Sequence, residues 1–324
     1  MTKVALVLLM GLGVFFSLAK GSAVNSTLTD ALAARSLHNR DLLLDSLEVQ
    51  IIDETSTNAG MNEIIDGEEV RAFFGLAAEQ EHAEAQNNLG KMHYHGQDGT
   101  INREEARTFF GLTAEKGHAE AQNNLGEMYL NGRGGDVDEE KARILFGLAA
   151  EQGYASAQHN LAIMHFQGKG GLVVNKVEAR RLLNLAVEGG NDAARYNLAW
   201  MNEHGIGGAK NEKEARRLYG LAAEQENVLA QFNLAWMYEE GRGGDVDEEK
   251  ARILFERAAD QQYAPALYNL ARMHAYGIGG PVDGEEARRL LHLAAGKGSA
   301  EAKHVLAVNF NEVVEEASNK TVSI

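Results

Sequence analysis

An arginine returns through this chain at Arg71, Arg107, Arg143, Arg180, Arg216, Arg252 and Arg288, at intervals of 36, 36, 37, 36, 36 and 36 residues. Fourteen residues after each stands an alanine, from Ala85 through Ala194 to Ala302, and eighteen after each a leucine, from Leu89 through Leu198 to Leu306. This period constrains the fold more than any other property of the sequence. A unit of that length is too short to bury a core of its own, so seven in register must stack and share one.

Each unit reads as two helices. Five residues before every arginine is an Asp or Asn (Asp66, Asn102, Asp138, Asn175, Asn211, Asp247, Asp283), a side chain that accepts bonds from the free amides of a first helical turn. In five units a glutamate follows three residues later, as Glu105 follows Asn102, completing the pattern of a capping box. Leu145, Phe146, Leu148 and Ala149 then form an apolar face at helical spacing; after a short turn, Ala157, Leu161 and Met164 line a second helix. Six units, from Gly96 to Gly277, close that helix with a glycine free to adopt the left-handed backbone. The expected fold is all-α: a right-handed α-solenoid of stacked helix-turn-helix repeats of about 36 residues over 66–310, then a helix end and tail over 311–324.

The string AEAQNNLGEMYLNGRGG, followed by DEEKARILFGLAAEQG, resembles the Sel-one-like repeat, a tetratricopeptide-like helix pair. In that family's phase the chain holds about six repeats from Ala83 to Ser299, after a half repeat at Asp66 to Gln80. The resemblance implies adaptor roles in assembling complexes or in host interaction. One departure is Ala162, Ala199, Ala235 and Ala271, where the family has glycine after the leucine. The disulfide-bonded bacterial branch of the family pairs cysteines in each repeat; this chain has no cysteine, so enzymatic activities attributed to that branch do not carry over. Gly132 to Phe146 and Gly241 to Phe255 are identical over fifteen residues and lie 109 apart, which is three units. They read as a duplicated block, so their identity does not mark a site.

Composition removes several function classes. A hydrophobic share of 44% with 24% charged residues is that of a folded chain. A net charge of -16 opposes any hold on nucleic-acid phosphates. The absence of cysteine excludes thiol nucleophiles, iron-sulfur clusters and cysteine zinc sites. His93 and His95 point apart on a helix, and neither they nor His159 with His165 have a carboxylate at ligand spacing, so they read as surface histidines. The DVDEE runs lack the glycine and final glutamate of a calcium loop, and the GRGG, GKGG and GIGG turns lack the lysine and hydroxyl of a phosphate loop. No catalytic residue, metal or cofactor is expected, and the chain reads as non-enzymatic.

The repeated columns read as scaffold: each arginine pairs with an acidic group across the unit, and Asn88, Asn124, Asn160, Asn197, Asn233 and Asn269 bond a loop backbone. Function is expected where the units differ. Two residues after the alanine column stand Asn87, Asn123, His159, Tyr196, Phe232, Tyr268 and His304; six after it stand Lys91, Glu127, Ile163, Trp200, Trp236, Arg272 and Val308. A position that admits Lys, Glu and Arg is not deep core, yet both tryptophans of the chain occupy it. Tyr196, Trp200, Phe232, Trp236 and Tyr268 are therefore the expected partner-binding stripe, on a helix that the resemblance places on the concave side. The alternative is that these rings pack between adjacent units.

Residues 1–23 read as a secretory signal peptide: Lys3 precedes an uncharged run from Val4 to Ala19, shorter than the roughly 20 apolar residues of a spanning helix. Residues 24–65 precede the repeats, first with a helical rhythm and then as a linker, and Asn25 and Asn319 begin glycosylation sequons. Arg35-Ser36-Leu37-His38, followed by an acidic stretch ending at Arg71, resembles the arginine-x-leucine-arginine and acidic layout of oomycete host-entering effectors. His38 replaces that family's arginine; Arg35 and Leu37 become the candidate translocation residues. A chain without cysteine suits a reducing host cytoplasm. The expected function is that of a secreted, monomeric scaffold binding an unidentified protein, without nucleic acid and without membrane once the leader is removed. The alternatives are a host-translocated effector and an adaptor for protein quality control in the endoplasmic reticulum lumen.

Overall fold

The structure is a computed structural model and describes residues 71, 74, 75, 78, 82–96 and 100–307. The expected signal peptide, the pre-repeat segment with Asn25, Arg35 and Leu37, and the tail with Asn319 lie outside the described residues. Among the described residues are thirteen α-helices and no strand: α1 (Ala83–His95), α2 (Arg103–Glu115), α3 (Ala119–Asn131), α4 (Glu139–Glu151), α5 (Ala155–Gln167), α6 (Lys176–Glu188), α7 (Asp192–His204), α8 (Glu212–Glu224), α9 (Val228–Glu240), α10 (Glu248–Asp260), α11 (Ala264–Tyr276), α12 (Gly284–Gly296) and α13 (Ala300–Ala307). Even-numbered helices carry the arginine column and odd-numbered ones the leucine column, as an all-α repeat solenoid requires. The chain divides into two compact units, residues 1–121 with 133–135, and residues 122–132 with 136–324.

Small residues let the helices close on one another. The alanine before each arginine (Ala106, Ala142, Ala179, Ala215, Ala251, Ala287) and the alanine column of the second helices (Ala85, Ala121, Ala157, Ala194, Ala230, Ala266, Ala302) are all 0% exposed. Bulk comes from Phe110, Phe146, Leu183, Tyr219, Phe255 and Leu291 on the first helices and from Met128, Met164, Met201, Met237 and Met273 on the second, all buried. Each such side chain contributes roughly 1.5–3 kcal/mol of burial. In the second unit those from Ala179 to Ala302 belong, with Ala162, to one core; in the first, Phe74, Ala78, Ala85, Leu89 and Met92 form a smaller one.

The predicted caps are present, but the capping boxes are not. Side chains of Asn102, Asp138, Asn175, Asn211, Asp247 and Asp283 accept from the amide three residues on. Each cap residue's own N–H, however, donates to a carbonyl late in the preceding helix, as Asn175 does to His165 at 2.8 Å and Asp247 to Tyr238 at 2.9 Å. A glutamate has no free donor to reach back to. Glu178, Glu214 and Glu286 instead hold Arg181, Arg217 and Arg289 at 2.5–2.9 Å, and Glu105 meets His93 at 3.1 Å.

The arginine column also binds differently from the expectation. Arg143 donates to the carbonyl of Gly170 at 2.8 Å, Arg180 to Ala209 at 3.0 Å, Arg216 to Asp245 at 3.0 Å and Arg252 to Pro281 at 3.3 Å. Each ties a first helix to the turn that closes the following second helix, so the partner is backbone and not an acidic side chain. The paired glycines of that turn permit it. At Gly243, with φ +73, a Cβ would stand 2.3 Å from the carbonyl oxygen of Glu212, and at Gly244 it would stand 2.7 Å from the Arg216 guanidinium.

Candidate functional site

The predicted stripe spans three successive second helices of the second unit: Tyr196 and Trp200 on α7, Phe232 and Trp236 on α9, Tyr268 on α11. All five rings are half-buried, with their inner edges packed on the core. Trp200 meets Phe166 of α5 edge-on at 6.0 Å and lies 4.9 Å from the His204 ring. Phe232 and Trp236 both meet Phe255 of α10 edge-on, at 5.6 and 5.8 Å, and Phe232 also meets Tyr263 at 5.3 Å. Tyr196 stands 5.8 Å from the buried Tyr219 ring of α8. The two readings of the stripe therefore describe opposite edges of the same rings: one edge fixes them, the other faces solvent.

Before the rings the same face is polar. Asn160 of α5 donates to Asn123 at 2.9 Å and to the Glu127 carboxylate of α3 at 3.2 Å, and Asn197 of α7 bonds the His159 imidazole at 2.8 Å. These asparagines thus bond side chains of the preceding second helix and not a loop backbone. Burial pushes the His159 imidazole below its ordinary value, so at neutral pH the pair is uncharged. His93, expected on the surface, is buried and stacks on Phe109 at 5.6 Å.

One buried network escapes a reading of single columns. Tyr219 stands where other units carry Phe or Leu, and its hydroxyl donates to Glu203 at 2.7 Å. Glu203 is buried in a column that holds Tyr94, Leu130, Phe166, Glu239 and Ala275 in other units, and it also accepts from Arg242 in the turn after α9. Burial first, then the Glu203 carboxylate, push the Tyr219 hydroxyl far above its ordinary value. The usable signal was the one hydroxyl in an otherwise Phe and Leu column, on the helix that follows Glu203.

Charge on this layer is one-sided. The Lys and Arg residues of α5, α7, α9 and α11 are Arg195 and Arg272. Arg195 is bonded to Asp192, while Arg272 is held by both oxygens of Glu239 at 2.7 and 2.6 Å and lies 5.4 Å over the Trp236 ring. Among the described residues no group of three or more His, Cys, Asp or Glu is placed to hold a metal, and no helix is long and apolar enough to cross a membrane.

By sequence, the Sel1 repeat matches six successive segments, 83–118, 119–154, 155–191, 192–227, 228–263 and 264–299. Among solved structures, a protective antigen present in uropathogenic Escherichia coli strains and displaying an SLR fold is 28% identical with a TM-score of 0.68, over 78% of this chain and 56% of its own. The likeness thus spans little more than half of that antigen. A Sel1 repeat protein from Oxalobacter formigenes is 27% identical with a TM-score of 0.62, over 72% of this chain and 96% of its own. No curated protein matches by sequence. With six contiguous matches running unbroken from 83 to 299, on helix pairs that share one buried alanine and methionine pattern, the chain belongs to the Sel1 repeat family.

Proposed function

We propose that this chain is a secreted, non-enzymatic scaffold that binds a partner protein along its second helices, with Trp200 and Trp236 as central anchors. Sel1 repeat proteins generally act as protein–protein interaction scaffolds. The observation that carries the reading is the run of five half-buried rings from Tyr196 to Tyr268, at positions where other units carry Asn, Lys and Glu. Rings already fixed by Phe166 and Phe255 lose little freedom on binding, which favours them as anchors. On this reading the stripe lies on the concave side, and the chain acts as a monomer. Secretion rests on the leader-like residues 1–23. Delivery into a host cell is the second reading, supported by Arg35, Leu37 and the absence of cysteine.

The test is the full chain carrying Trp200→Ala and Trp236→Ala together, used as bait beside the parent chain. Partners lost only from the variant, at a melting temperature close to the parent's, support the reading. An unchanged partner set, or a variant that has lost its helix content, sinks it.

A further inference from the structure

The surroundings of the stripe specify the chemistry of what docks there. Both cations of α5, α7, α9 and α11 are already held by carboxylates of their own helix layer, Arg195 by Asp192 and Arg272 by Glu239. Glu203 and Glu240 share the single guanidinium of Arg242, which leaves one negative charge in excess beside Trp200. At the other end of the face, on α3, Glu127 is held by the neutral amides of Asn123 at 3.0 Å and Asn160 at 3.2 Å, which orient the carboxylate without neutralising it. The rings of the stripe stand on α7, α9 and α11, and aromatic rings attract cations within about 6 Å of their centres. Arg272 over Trp236 shows that a guanidinium fits on one of them.

Resting on the docking reading above, we propose that the occupant of this face is a cationic peptide segment of a partner protein, one Lys or Arg seated at Glu127 and its apolar side chains on Trp200 and Trp236. An acidic segment would meet carboxylates with no free cation among these helices to offset them, and a purely apolar one would strip water from Glu127 without supplying a counter-charge. The net charge of -16 adds long-range attraction for a basic partner. Glu127 and Trp200 stand on second helices two apart, about 20 Å at the usual 8–10 Å between packed helices. An extended peptide covers that in about six residues.

Selection from a random peptide display library, with inserts long enough to span this distance, tests the proposal on the full chain. Both tryptophans of the chain lie in the stripe, so their emission reports occupancy directly. The expected pool is enriched in Lys and Arg and depleted in Asp and Glu. Its best synthetic peptide should shift the tryptophan emission, and Glu127→Gln should weaken its binding about fivefold without moving the melting temperature. Peptides that shift the emission but carry no excess of Lys or Arg, or that bind Glu127→Gln as tightly as the parent, overturn this proposal and leave the docking reading standing. No binders at all, or binders indifferent to Trp200→Ala, overturn both.

Discussion

Replacing Tyr219 with Phe removes one oxygen from the interior of the second unit, and the structure sets the cost. The ring itself fits, because Phe110, Phe146 and Phe255 occupy the same column in other units. What is lost is a 2.7 Å hydrogen bond from a fully buried hydroxyl to Glu203, a residue that is 8% exposed and retains Arg242, together with a long 3.4 Å bond that the hydroxyl accepts from Asn233. A hydrogen bond to a charged group contributes about 1.5–3 kcal/mol; with Arg242 still in place, the expected loss is about 2 kcal/mol. In a Glu203→Leu background the carboxylate is gone, and the same Tyr219→Phe change should cost well under about 1 kcal/mol, a coupling of more than about 1 kcal/mol. Denaturant unfolding followed by tryptophan emission reads the relevant repeats, since Trp200 and Trp236 flank the network. Alkaline pH supplies an independent arm. The folded state holds the Tyr219 hydroxyl neutral well above its ordinary value of 10.0, so its contribution is intact below pH 10 and is lost as pH rises further. The parent should lose about 1.4 kcal/mol per pH unit there relative to Tyr219→Phe. Equal costs in both backgrounds, or parallel alkaline slopes, would refute the network.

Glu226 and Gln262 adopt left-handed backbone, φ 58 and 61, at the turn position where other units have Gly117, Gly153, Gly190 and Gly298. Because that conformation costs a side-chain-bearing residue about 1–2 kcal/mol, Glu226→Gly and Gln262→Gly should each raise the melting temperature by calorimetry; a fall in either contradicts the strain. Glycine also divides sharply by position. Gly243→Ala drives a Cβ to within 2.3 Å of the Glu212 carbonyl and should destabilise by about 2 kcal/mol or more, whereas Gly220→Ala, inside α8 with nothing within 4 Å, should stabilise by up to about 1 kcal/mol. Equal effects in the same unfolding assay would refute the distinction between the crowded turn and the open helix position.

Much of the scaffold is legible because each of its features is local or repeated. A cap such as Asn175 needs only its own side chain and the amide of Glu178, three residues away. The alanine columns announce close packing by recurring, and their complete burial follows. The misreadings of the arginine column and of the capping boxes share a physical cause: the partner that takes the bond is backbone, which residue identity does not show. Arg216 suggests an acid by its charge, yet bonds the Asp245 carbonyl, and the usable clue was the adjacent Gly243-Gly244 pair. The capping box fails likewise, since the N–H of Asn211 is already taken by the carbonyl of Asn202. The stripe lies between these cases. Its columns show that Trp200 and Trp236 are not deep core, but which edge of each ring stays wet depends on Phe166 and Phe255, which lie on other helices.

The duplicated block supplies an internal control for why those rings are there. Residues 109 apart make the same scaffold contacts: Gln152 donates to Gln122 at 2.8 Å and Gln261 to Gln231 at 2.9 Å, while Lys141 lies over Tyr129 and Lys250 over Tyr238 at 5.2 and 5.5 Å. At the same offset the second-helix face does not repeat. Asn123 becomes Phe232, Glu127 becomes Trp236, His159 becomes Tyr268 and Ile163 becomes Arg272. At the first three of these positions one copy of the block folds with polar groups where the other carries rings, so stacking of the repeats alone does not require an aromatic residue there. Packing demands repeat with the scaffold, whereas demands imposed from outside need not. The divergence of this face, against the constancy of the glutamine and lysine contacts beneath it, supports the proposal that the rings serve a partner as well as the stacking of the repeats.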